Sequence, residues 1–224
     1  MKMELPMLQF FGLGGGLRVS WYGDCLPSRD FPMLADWYRK GELDLDRAVT
    51  EEIGLDGLSD AEVEALDAER VIAVLPVGAV ESHGPHLPVG VDAMLNEAML
   101  KRVWELVPAD LPVSALPNLH VGMSEEHIDY PGTVMLDAET LIDVWTQSAA
   151  SVARAGVRKL VLLNSHGGQA GVADIVIRRL RIKYGMMVFI VHWFRFPPPD
   201  GLFGEDERQH GIHGGEVETS LMLH

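Results

Sequence analysis

Val71-Ile-Ala-Val-Leu-Pro-Val-Gly78 is followed, two residues later, by Glu81-Ser-His-Gly-Pro-His-Leu-Pro-Val-Gly-Val-Asp92. The first stretch is apolar almost throughout and rich in β-branched side chains, the composition of a strand covered by helices on both faces. In open α/β sheets ligands bind beyond the carboxyl ends of such strands. The second stretch falls at that end, and it sets a carboxylate, an imidazole and a second carboxylate within twelve residues. Residues two apart in extended chain project to the same side, so Glu81 and His83 can reach one cation while Ser82 points away. Gly84 and Pro85 then turn the chain, which lets Asp92 return to the same point.

Working outward, Lys159-Leu-Val-Leu-Leu-Asn164 reads as a second buried strand, and Ser165-His166-Gly167-Gly168 follows it before a helical pattern that includes Ala173–Leu180. His166 therefore also stands at a strand's carboxyl end. His213-Gly-Gly-Glu216-Val-Glu218 opens a further helical pattern with one more imidazole and two more carboxylates. Helices are predicted over Met33–Lys40, Asp60–Ala68, Asp92–Leu106, Ala138–Ala155 and Gly171–Tyr184, and strands over Val71–Val77, Val113–Leu116, Leu160–Leu163 and Met187–Val191. Alternation of this kind predicts an α/β fold, a mostly parallel sheet with helices on both faces. Mixed imidazole and carboxylate donors suit zinc, manganese or iron, and the sequence does not choose among them.

Composition narrows the function classes. With 224 residues, 47% hydrophobic and 23% charged, the chain has the length and balance of a soluble domain with a full core. Its formal net charge of -15 argues against nucleic acid or an anionic membrane surface as a partner. No apolar run approaches the roughly 20 residues of a membrane span, Met1-Lys-Met-Glu-Leu-Pro6 does not open a signal peptide, and Cys25 stands alone. A cytoplasmic location is the expectation. His86, His120 and His192 read as hydrogen-bonded structure rather than as ligands. Glu205-Asp-Glu207 reads as a solvated loop, and Phe196–Gly201 as a loop as well.

Four motifs in one order, Glu81-x-His-Gly-x-His-Leu-Pro to Asp92, Ser124-x-Glu-His-x-x-x-Pro-Gly-Thr133, Asn164-x-His-Gly-Gly168 and His213-x-Gly-x-x-Glu-Thr-Ser220, resemble the creatininase family of metal-dependent amidohydrolases over residues 67–224. The resemblance implies a three-layer α/β/α fold, one or two divalent metal ions, hydrolysis of a non-peptide or cyclic amide C–N bond of a small molecule, and a homo-oligomer, most often a hexamer. It implies Glu81, His83, Asp92 and His166 as metal ligands, with Asp92 bridging if two ions bind. In creatininase a carboxylate stands two residues after the third motif's histidine, where this chain has Gly168; Glu218 is then the candidate to complete the second ion's ligands. Zinc is the favoured ion, with manganese or iron as alternatives. His213 is expected as proton donor or substrate-orienting group and His127 as the group lining the pocket opposite it. Ser165 and Thr133 are expected to face the substrate, and Trp193 either does so, as an aromatic there often does in the family, or belongs to the core. Ser165 and Gln169 depart from the family's usual Gly and Asn, which bears on the substrate more than on the chemistry. A divalent ion lowers the pKa of a bound water from about 15.7 toward about 7 and polarises an amide carbonyl. Creatinine hydrolysis, formamide hydrolysis on a pyrimidine precursor and trimming of a peptide-derived cofactor such as the mycofactocin precursor all occur in the family.

Residues 1–66 differ. Trp21-Tyr-Gly-Asp-Cys-Leu-Pro-Ser-Arg-Asp30, Leu34–Arg47 and Val49-Thr50 resemble the C-terminal tail of a medium-chain zinc alcohol dehydrogenase, with none of that enzyme's catalytic parts. Gly12-Leu-Gly14-Gly-Gly-Leu17 misses the third glycine of a dinucleotide-binding turn, which argues against dehydrogenase activity. The expectation is a non-catalytic extension over 1–66 and a hydrolase domain over 67–224. The chain stops at Leu221-Met-Leu-His224 within a helical pattern where the family runs on, so a C-terminus cut short is expected too. The competing reading is a degenerate fusion that folds and oligomerises without turnover.

Overall fold

Ile72–Val77 (β1) lies inside a sheet of four parallel strands, ordered β2-β1-β3-β4, with Val113–Ala115 as β2, Lys159–Asn164 as β3 and Met187–His192 as β4. The computed structural model describes residues 59–224 except 109, together with positions 36 and 40. The segment expected to resemble a dehydrogenase tail, Cys25 and nearly all of the helix expected over Met33–Lys40 lie outside the described residues.

β1 and β3 pair from Ile72↔Lys159 to Val77↔Asn164, and β3 and β4 from Lys159↔Met187 to Asn164↔His192. The three longer strands therefore end level, and the chain leaves all of them on the same side. Parallel strands need crossovers, and helices supply them: Val91–Trp104 (α2) between β1 and β2, Ala138–Arg154 (α3) between β2 and β3, and Ala170–Tyr184 (α4) between β3 and β4. One strand face, Ala73, Leu75 and Val77 with Leu160, Leu162 and Val188, packs on Leu141, Trp145 and Ala149 of α3 and on Val172, Val176 and Leu180 of α4. Against β1 also lies α2, with Val91, Ala93 and Leu95 buried. The result is the α/β layering expected from the alternation of elements.

Local chemistry sets the ends. Asp60–Ala65 (α1) opens with a reciprocal cap in which Ser59 Oγ accepts from Glu62 N and Glu62 Oε2 accepts from Ser59 N at 2.8 Å. Asp137 caps α3 by accepting from Thr140 N at 2.7 Å. The run read as a solvated loop, Glu205-Asp-Glu207, instead begins a helix, Glu205–His210 (α5), ahead of Glu216–Leu223 (α6). Glu207 is turned inward: its Oε1 accepts from Val217 N at 3.0 Å, satisfying one of the free N–H groups that begin α6. A carboxylate at that end also matches the helix dipole, an outcome that charge counting alone does not reveal. Among the described residues no helix is long and apolar enough to cross a membrane.

Candidate metal centre

Beyond β1 the chain stays extended, and Glu81 N donates to Val89 O at 2.8 Å, which closes the loop that brings Asp92 back. Gly84, at φ +81°, makes the turn that a side chain would resist. Asp92 is the second residue of α2, where the helix dipole favours an anion. His166 stands two residues past β3. Glu81, His83, Asp92 and His166 are 0, 1, 2 and 4% exposed, an unusual depth for four ionisable groups.

Their side chains converge. Asp92 Oδ1 lies 3.6 Å from His83 Nε2, and Asp92 Oδ2 lies 3.4 Å from His166 Nδ1. Glu81 Oε1 lies 3.2 Å from His166 Nδ1 and 4.0 Å from His83 Nε2. His83 Nδ1 is 3.1 Å from the carbonyl of Glu81 and is the donor there, so its Nε2 presents a lone pair to the centre. Glu81 Oε1, His83 Nε2 and Asp92 Oδ2 are buried without a hydrogen-bond partner. Buried polar atoms left unpaired are costly, and several aimed at one point fit a divalent cation held by nitrogen and oxygen donors.

In the protein alone, protons and ion pairs balance these charges. Burial acts to raise the carboxyls of Glu81 and Asp92, but His166 outweighs it, with Ser124 helping at Glu81 and His83 at Asp92, and both stay below the usual carboxylate range. Burial acts to lower His83 and His166, and the facing carboxylates reverse that: His83 is raised by Asp92, and His166 is pushed up to about 10 by Asp92 and Glu81. The cluster thus holds a cationic imidazole among acids.

Glu218 and the two pocket histidines sit at the rim. Glu218, on α6, has donor atoms within 4.8 Å of those of His83 and Asp92, and its carboxylate accepts from Gly214 N. Burial raises its carboxyl above the ordinary range. Glu216 is exposed, as expected for the member of the pair that points away. His213 lies between His83, tilted against it at 4.3 Å between ring centres, and His127, stacked at 4.5 Å. Its Nε2 lies 2.6 Å from Ser82 O and donates there, leaving Nδ1 3.6 Å from Glu81 Oε1. His127 Nδ1 is 3.2 Å from Glu81 Oε2, to which Ser124 Oγ also donates.

The expected substrate residues divide. Trp193 lines a cleft of about 750 Å³ with Phe194, Phe196, Leu202 and Ile212, and Glu218 lies on its wall. Ser165, by contrast, is only 3% exposed and donates its hydroxyl to Val77 O at 3.2 Å, tied to the end of β1. Thr133 donates to His127 O at 2.9 Å and so braces the His127 turn. Gln169, read as a mark of substrate, is fully buried and tied to Gly78 O, Asn164 Oδ1 and Met123 N. His86, His120 and His192 bond to Thr219, Glu97 and Asn164 in turn, as structural histidines do. Two site neighbours escaped the sequence reading. Ser124 and Glu126 both belong to the Ser-x-Glu-His motif, whose spelling was the available signal.

The creatininase family, described as creatinine amidohydrolase, matches residues 56–224. The chain belongs to the creatininase family. Creatinine amidohydrolase of Pseudomonas putida is 35% identical over 173 residues, 68% of this chain and 63% of that protein. Mycofactocin precursor peptide peptidase of Mycobacterium tuberculosis (strain CDC 1551 / Oshkosh) is 30% identical over 173 residues, 75% of this chain and 63% of that protein. A solved structure described as creatininase Mn superposes with a TM-score of 0.62 at 32% identity, covering 77% of this chain and 72% of that one. The chain thus spans about 63% of the length of those two curated creatininase-family relatives.

Proposed function

We propose that this chain is a dinuclear metal-dependent hydrolase of an amide C–N bond, with Glu81, Asp92 and His166 holding one divalent ion and His83, Asp92 and Glu218 the other. The observation that carries this reading is the division of Asp92: one carboxylate oxygen faces His83 and the other faces His166, among buried atoms that lack partners. When bound, such ions supply Lewis acidity toward the amide carbonyl and make water a competent nucleophile near neutral pH.

The chain's own residues do the rest. His213, fixed by Ser82 O and by packing between His83 and His127, keeps Nδ1 free inside the site and is the group we assign to carry a proton to the departing nitrogen. Ser124 and His127 hold Glu81 Oε2, so that Oε1 is turned toward His166. The aromatic cleft at Trp193 receives the apolar part of the substrate and keeps water away. Two relatives' names, creatinine amidohydrolase and mycofactocin precursor peptide peptidase, support a non-peptide or cyclic amide, or the end of a modified peptide, as the substrate class. Zinc suits the donor set, and manganese appears in the description of a solved relative. Residues 1–66 are assigned no ligand, and a closed, symmetric homo-oligomer is the proposed assembly.

The test is amine release from lactams, formamides and short peptides by purified protein, before and after chelation and on return of zinc or manganese. Metal-dependent release on any of these supports the reading. Protein that binds neither ion and cleaves none of them supports the degenerate fusion instead.

A further inference from the structure

The 3-10 turn Glu125–His127 places Glu126 against His166: Oε1 lies 3.1 Å from Nε2, whereas Glu81 and Asp92 face Nδ1, and Glu81, Glu126 and His166 offer donor atoms that all lie within 4.8 Å of one another. His166 Nε2 is buried and makes no hydrogen bond, so the oxygen is within reach but off the N–H axis. Glu126 is 42% exposed, and a side chain that free can turn its carboxylate through such an angle. The space it occupies exists because residue 168 is glycine: a Cβ there would fall on the Glu126 carboxylate and stand 2.7 Å from Nε2.

Imidazole chemistry gives this contact a purpose. A neutral ring that offers its Nδ1 lone pair inward must carry its proton on Nε2, and a buried N–H with no acceptor is costly. A carboxylate on the far nitrogen fixes both the tautomer and the ring's orientation. We propose that Glu126 is the positioning residue for His166, its carboxylate accepting from Nε2–H through the space left by Gly168, so that Nδ1 is held toward Glu81 and Asp92. This inference rests on the metal-site reading above.

The test uses the full chain, stripped by chelation and titrated with Zn²⁺ against a chromophoric chelator, then with Co²⁺ for its visible spectrum. Glu126→Ala should weaken one of the two ions by about 10–100-fold and leave the other unchanged, with the metal-free melting temperature and the Co²⁺ band intensities preserved. Glu126→Gln keeps an acceptor and should recover most of the affinity. Gly168→Ala should weaken the same ion, since the added Cβ meets both the Glu126 carboxylate and His166 Nε2. Wild-type affinity in Glu126→Ala overturns the inference, as does a Co²⁺ spectrum showing a lost ligand. If Glu126→Ala does not fold, unchanged affinity in Gly168→Ala overturns it alone. Wild-type protein that binds no ion fails earlier, at the metal-site reading, and takes this inference with it.

Discussion

His166 is the residue whose charge depends most on what fills the site. With its folded pKa raised to about 10 from 6.5, it contributes stability that is fully present below about 6.5 and is lost as pH rises through about 10. Glu81 and Asp92, both lowered, contribute in the opposite sense, present above the ordinary carboxylate range and lost as pH falls. Chelated protein should therefore lose melting temperature steadily from pH 6.5 to 10, whereas metal-loaded protein, in which an ion replaces that proton, should lose much less. Uptake of metal at pH 8 should also release a proton, visible as a dependence of the calorimetric heat on buffer ionisation enthalpy; the same heat in every buffer would contradict it. Glu216 and Glu218 give a second comparison at this scale, since one is exposed and the other lies within ligand reach of His83 and Asp92. Glu218→Gln should lower occupancy of one ion and the hydrolytic rate together, and Glu216→Gln should change neither.

Elements fix the site through their ends. Asn96 of α2 donates to Val77 O and Leu163 O, and Gln169, ahead of α4, bonds Gly78 O, Asn164 Oδ1 and Met123 N, so four chain segments meet behind His166. Replacing Gln169 by Leu strands buried polar groups, and a loss on the order of 3 kcal/mol is expected in urea unfolding of the metal-free protein. A loss within measurement error would show that water takes over those bonds. The strands and helices of this frame were legible because apolar periodicity is local: β1, β3, β4 and α2 to α4 begin and end within two residues of the sequence expectation. The convergence of Glu81, His83, Asp92 and His166 was legible from motifs, which set them in the chain that leaves β1 and β3 and in the first turn of α2. What escaped were pairings across sequence distance. Glu126 against His166, Glu207 against Val217 and Ser165 against Val77 leave no periodic trace, and each turned a residue read as solvent- or substrate-facing, or not read at all, into a structural partner.

At the scale of the molecule, the family match begins at residue 56 and the second compact unit at Ile53, ahead of the boundary at 67 drawn from motifs. Every proposed ligand lies within that unit, so a chain starting at Ile53 should retain the full chain's metal-to-protein ratio; loss of metal from a folded chain of that length would place a ligand in the first 52 residues. The central claim is narrower: two ions share Asp92. It is tested most directly by metal analysis of wild-type, His83→Ala and Asp92→Ala protein after saturation with zinc or manganese and removal of the excess. The account predicts two ions per wild-type chain, one in His83→Ala and none in Asp92→Ala. An Asp92→Ala protein that keeps two ions would contradict it.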